Sequence, residues 1–164
     1  MTKGVRFGEG CNIIPVLAPV DMAATATPTI DVDCADANWV TFIIQLGNMT
    51  SDATDTVTFT VYGSTAVAST DVAIGDWWYR YSGGAVAVNS WGAITTGSSD
   101  GVAISKATED SYTVIIDVDP VAVAGAEDTA RWVHVLITPV GPITLGSAVA
   151  IVEHKYPGNS MSST

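Results

Sequence analysis

Two stretches decide the fold class: Asn38-Trp39-Val40-Thr41-Phe42-Ile43-Ile44-Gln45-Leu46 and Thr56-Val57-Thr58-Phe59-Thr60-Val61-Tyr62. In the second, Val57, Phe59 and Val61 share one face and Thr58, Thr60 and Tyr62 the other, the period of two expected of a half-buried strand. In the first, Val40, Phe42, Ile44 and Leu46 alternate with Trp39, Thr41, Ile43 and Gln45. Both of its faces are largely apolar, which predicts a central strand. Gly47-Asn48 and the polar run to Asp55 turn the chain between the two, and the pair reads as an antiparallel hairpin with a long connection.

Outward from this pair the same period recurs. Thr29 to Asp33 alternates, and Ser111 to Asp119 places Tyr112, Val114, Ile116 and Val118 on one face before Pro120 ends the run. Arg131 to Thr138 places Val133, Val135 and Ile137 opposite Trp132, His134 and Leu136, and Ala148 to Glu153 closes the series. Asp76-Trp77-Trp78-Tyr79-Arg80-Tyr81 reads as an aromatic strand followed by a Ser82-Gly83-Gly84 turn, and Val86 to Trp91 as a further strand. Gly92 to Gly101 reads as a loop, and Val121 to Ala130 as a short helix or surface loop. Before them, Pro15 and Pro19 are expected to break any regular element between Thr2 and Ala26.

The 21 Val and 20 Thr against 4 Leu favour pleated sheet over helix. No strand-helix alternation suggests a parallel sheet. The expectation is therefore an all-β, single-domain β-sandwich of jelly-roll type over residues 28–157, with an extended N-terminal arm over 1–27 and a polar tail over 158–164.

Charge narrows the partners. Lys and Arg number 6 against 17 Asp and Glu, a net charge of −11, the wrong sign for a phosphate backbone, so nucleic acid is excluded as an expected partner. The acids concentrate in residues 21–130, where Arg80 and Lys106 face fifteen of them, while residues 1–20 and 131–164 each hold two cations against one acid. An N-terminal segment without that negative charge can lie on a neighbouring acidic body with little repulsion. Trp132 to Val152 has no charged residue, but Pro139, Gly141, Pro142 and Gly146 interrupt it, so no membrane span is expected. Glu9, Pro15 and Pro19 likewise spoil a signal peptide behind Lys3 and Arg6, and synthesis in a cytosol is expected.

Chemistry-bearing patterns are sparse. There is no strained Gly-x-Ser-x-Gly turn to present a nucleophile, and His134, alternating with apolar residues, reads as a half-buried structural histidine. Cys11 and Cys34 read as free thiols, and with no Cys-x-x-Cys and with His134 and His154 twenty residues apart, zinc finds no support. Asp31 with Asp33 and Asp36, and Asp117 with Asp119, are the candidate Ca²⁺ ligands, although they lack the EF-hand order and also suit strand-edge protection. Asn48-Met49-Thr50 matches the glycosylation sequon and reads as chance without a secretory signal. The aromatic strand is the strongest local feature, with Trp77, Tyr79 and Tyr81 on one side and Trp78 and Arg80 on the other; one side fills the core and the other is a candidate protein or glycan contact.

The two stretches quoted first, together with Ser111-Tyr112-Thr113-Val114-Ile115-Ile116-Asp117 and Ala150-Ile151-Val152-Glu153-His154-Lys155-Tyr156-Pro157, resemble the small, acidic, Val/Thr-rich accessory proteins of tailed bacteriophage virions, above all head decoration (cement) proteins. The likeness is one of style over most of the chain and transfers no functional residue. It implies a non-enzymatic virion protein without cofactor or metal, made in the host cytoplasm, forming homotrimers and bracing the outer shell by contacts with the major capsid protein. The expected interface residues are Ile13, Ile14, Val16 and Leu17 in the arm and Trp77, Trp78, Tyr79 and Tyr81 in the aromatic strand. Deleting residues 1–20 is expected to leave the fold intact and to reduce capsid occupancy. The alternatives are a carbohydrate-binding β-sandwich module or a tail-associated structural protein.

Overall fold

Tyr112, Val114, Ile116 and Val118 are buried while Thr113, Ile115 and Asp117 are half-buried, the alternation that their sequence predicts. In the structure, a computed structural model, residues 11–22, 25–47, 56–67, 71–82, 91–105, 112–126, 129–140 and 145–155 are described. The polar tail, the Asn48 sequon and most of Val86–Trp91 lie outside them. Within them the elements are β1 (Cys11–Val20), β2 (Thr27–Pro28), β3 (Val32–Asp33), β4 (Ala37–Leu46), β5 (Thr56–Ser64), β6 (Val72–Ala73), β7 (Trp77–Tyr81), β8 (Thr95–Thr96), β9 (Val102–Ser105), β10 (Tyr112–Val118), α1 (Pro120–Ala126), β11 (Trp132–Val140) and β12 (Gly146–His154).

The larger sheet runs β1-β12-β4-β10-β7-β8 and the smaller β2-β11-β5-β6, with β3 also on β11 and β9 also on β5. Every pairing is antiparallel. If β2 and β3 count as one interrupted strand and β6 to β8 as an insertion, the remaining chain crosses between sheets at every step except β5 to β9. The resulting orders, β1-β12-β4-β10 and β2/β3-β11-β5-β9, are those of a jelly roll. Val40, Phe42 and Ile44 of β4 meet Val57, Phe59 and Val61 of β5 and Val133, Val135 and Ile137 of β11 in one continuous core.

Three expectations are corrected. β4 is central, as its two apolar faces predict, but β4 and β5 do not form a hairpin: β4 pairs with β10 and β12, and β5 lies in the other sheet. A long polar connection does not fix pairing as a two-residue turn does, so the core-facing residues of both strands decide, and they oppose one another across the sandwich.

Pro15 and Pro19 do not prevent a strand. Cys11–Val20 pairs with β12 at the sheet edge, with irregularities between Pro15 and Leu17 and between Leu17 and Val20. Proline is tolerated at such an edge because its missing N–H interrupts no central ladder. On the open side, the Val16 carbonyl accepts the Ile30 N–H at 2.9 Å.

Thr29 to Asp33 is not one strand: β2 ends before it at Pro28 and only Val32–Asp33 (β3) is strand within it, while the Thr29 N–H donates to Val135 O (2.9 Å) and its Oγ1 accepts the Val135 N–H (3.0 Å). The threonine side chain thus takes over a ladder bond.

The uncharged run from Trp132 to Val152 falls in β11 and β12, and among the described residues no helix is long and apolar enough to cross a membrane. The helix expected near Val121 is α1; Pro120 is its first residue and the Asp119 carboxylate caps it by accepting the Val121 N–H at 2.8 Å.

Candidate assembly face

Cross-strand register sorts the aromatic and aliphatic residues onto two sides of the larger sheet. Toward the core point Val16, Ala150, Phe42, Ile116 and Trp77, all buried. The outward side is built in rows of directly paired residues. One row runs Ile13, Ile151, Thr41, Asp117, Trp78 and Thr96, and the next runs Pro15, Val149, Ile43, Ile115 and Arg80. A third begins Cys11, Glu153, Trp39. The face therefore carries an apolar field of Ile13, Pro15, Val149, Ile151, Ile43, Ile115, Trp39 and Trp78 over the five strands from β1 to β7, interrupted by Thr41, Asp117, Arg80 and Glu153 and bordered by a polar row of Ser147, Gln45 and Thr113.

Side-chain contacts fix the field's aromatic end. Trp39 and Trp78 stack with centroids 5.5 Å apart and planes 20° apart. Asp117 accepts hydrogen bonds from Thr41 Oγ1 (2.6 Å) and Trp39 Nε1 (3.4 Å), so its charge is answered from β4. The Arg80 guanidinium lies 5.1 Å from the ring centre of Trp91, which is 44% exposed. Asn38 Nδ2 donates to Glu153 Oε1 at 3.3 Å.

The eight expected contact residues divide accordingly. Ile13 (57% exposed) and the half-buried Trp78 stand in the same outward row. Ile14, Leu17, Tyr79 and Tyr81 are partly buried against the core. Val16 and Trp77, 1% and 0% exposed, are corrected from surface contacts to core residues. The Trp77 indole N–H donates to Ser98 O at 3.3 Å, which satisfies it without any partner. Trp39, Ile43, Ile115, Val149 and Ile151 were absent from the expected set and join the face. The signal for Trp39 and Ile43 was present in the doubly apolar Trp39–Leu46 pattern: in a two-layer sandwich only one face of a strand can meet the other sheet.

The remaining candidate chemistry is tied up within the fold. His134 is 7% exposed, with Nδ1 3.0 Å from Asp31 Oδ1 and Nε2 3.7 Å from Asp71 Oδ2, and its ring stacks on Tyr62 at 5.5 Å. Asp33 pairs with Arg131 and also accepts the Ala35 N–H; partial burial opposes its ionisation, but these hydrogen bonds outweigh burial and hold the carboxyl below its ordinary value. With Asp117 bound by Thr41 and Trp39 and Asp119 capping α1, four of the five proposed Ca²⁺ ligands are engaged individually. Among the described residues no three His, Cys, Asp or Glu converge on one point.

Cys11 and Cys34 are free thiols. Burial, aided by the Asp33 charge, pushes the Cys34 thiol up to about 12, which makes it a poor nucleophile although it lines an open cleft of about 600 Å³ with Trp39, Asp119 and Arg131.

In comparisons with protein-family models, curated proteins and solved structures, the chain matches none.

Proposed function

We propose that this chain is a non-enzymatic structural subunit of a tailed-bacteriophage virion, of the capsid decoration type, which acts by burying surface against other protein. The observation that carries the reading is the outward face of the larger sheet, where Ile13, Ile43, Ile115, Val149, Ile151, Trp39 and Trp78 form one field on an otherwise acidic chain. Large contiguous apolar patches on soluble domains mark sites of protein association. A jelly roll is compatible with shell proteins and with lectins alike, so the fold itself does not choose between them.

The arrangement of the indoles favours protein over sugar. Trp39 and Trp78 cover one face of each other and Arg80 one face of Trp91, which reduces the ring surface open to a sugar. The partners under this reading are further copies of the chain and the major capsid protein, and its location is the outer shell. Incubation with empty capsid-like particles followed by sedimentation tests the reading. Saturable uptake at a fixed number of chains per particle is expected, and no uptake at any concentration overturns it.

A further inference from the structure

The outward face of the larger sheet carries a pattern that matches itself. Arg80 stands on β7 in register with Ile115, Ile43 and Val149, and Glu153 lies four residues past Val149 on β12, three strand spacings from β7. At ~4.8 Å between strands and ~3.4 Å per residue, the two charges are separated by about 14 Å across the strands and about 14 Å along them. A line in the face that bisects this separation at right angles runs at about 45° to the strands and passes between Thr41 and Asp117, which are directly paired.

We propose that a second copy of this chain covers the face about a two-fold axis on that line, with Arg80 of each copy meeting Glu153 of the other. Rotation about the axis crosses the two sets of strands at near right angles, one of the two packings that sheets adopt. It also lays Ile43 and Ile115 of one copy on Val149 and Ile151 of the other, and brings Trp39 over Trp78. A two-fold interface has to be self-complementary in this way, apolar on apolar and cation on anion.

Area and charge support the same occupant. The field spans about 19 Å across β1 to β7 and about 14 Å along its three rows, roughly 270 Å² in plan, so the ~800 Å² per subunit of a stable pair draws also on side-chain relief and on the flanking residues that crossed sheets bring together. Two chains of charge −11 repel over most of their surfaces, but the three rows of this face hold one cation, Arg80, against two carboxylates, Asp117 and Glu153, with Asp76 and Asp119 beside Trp78 at the rim. The carboxylate nearest the axis, Asp117, is held by Thr41 and Trp39 of its own copy. Arg80 lies over Trp91, and among the described residues it forms no ion pair. A two-fold pair replaces the trimer that the virion resemblance implies.

Light scattering of the full chain over a concentration series, with charge-swapped variants, tests the pair. Twice the 17.0 kDa of one chain is expected at high concentration. Arg80→Glu and Glu153→Arg should each raise the dissociation constant at least about tenfold, and combining them should restore association. Restoration in the double variant also establishes that the single variants fail at the interface and not in folding. A monomer at every concentration, a trimer, or single swaps without effect overturns the pair, as does a double variant that stays dissociated. The shell reading is measured separately by uptake onto particles. A pair that ignores particles overturns that reading alone, and a monomer that loads onto them overturns the pair alone.

Discussion

Trp77 and Trp78 are adjacent and have opposite fates, because neighbouring strand residues point to opposite faces. Trp77 fills the core, and its surroundings are built to its shape: the Gly97 N–H donates to Trp77 O at 2.7 Å, and a methyl on Gly97 would fall within the indole ring. The ring is fully buried and has nowhere to move. Gly97→Ala should therefore destabilise the chain by about 1–3 kcal/mol, the usual cost of overpacking, as read by urea unfolding. Cys34 provides a second check at this scale. With its thiol pushed up to about 12 by burial, it should resist iodoacetamide at pH 8 in the folded chain, while the half-buried Cys11 is the first to react; peptide mass spectrometry after brief labelling reads the difference. The sequence paired the two tryptophans on opposite sides of a strand correctly, but which side meets the core depends on register with β10, a non-local fact.

Among the elements, β1 departs furthest from its sequence reading. Proline content argued for an arm without regular structure, yet the segment is the edge of the larger sheet, with Val16 in the core and Ile14 and Leu17 against it. Edge position reconciles the two, since prolines on an open edge also discourage another strand from adding there. Deleting residues 1–20 would remove this strand and uncover β12. It should lower stability by at least about 2 kcal/mol in urea unfolding, contrary to the intact fold expected of a detachable arm. The strands with clean alternation, β5, β10 and β11, were legible because one buried face fixes their phase. Pairing was not legible: β4 and β5 are joined in sequence by polar residues and separated in space by the core.

For the whole molecule, composition and strand pattern predicted a β-sandwich of jelly-roll type, and the strand orders have that arrangement. The proposed assembly face was half legible. Ile13 and Trp78 were singled out from two distant segments and stand in one cross-strand row, but the aliphatic centre between them looked like core because β4 is apolar on both sides. A chain that keeps so apolar a face over a net charge of −11 should work in assembled form. The measurement closest to that claim is the native mass of the purified chain by light scattering, taken alone and then with empty capsid-like particles. The account predicts a mass above 17.0 kDa for the chain alone and a particle-bound fraction that saturates. A chain of 17.0 kDa at every concentration that leaves the particles bare would contradict it.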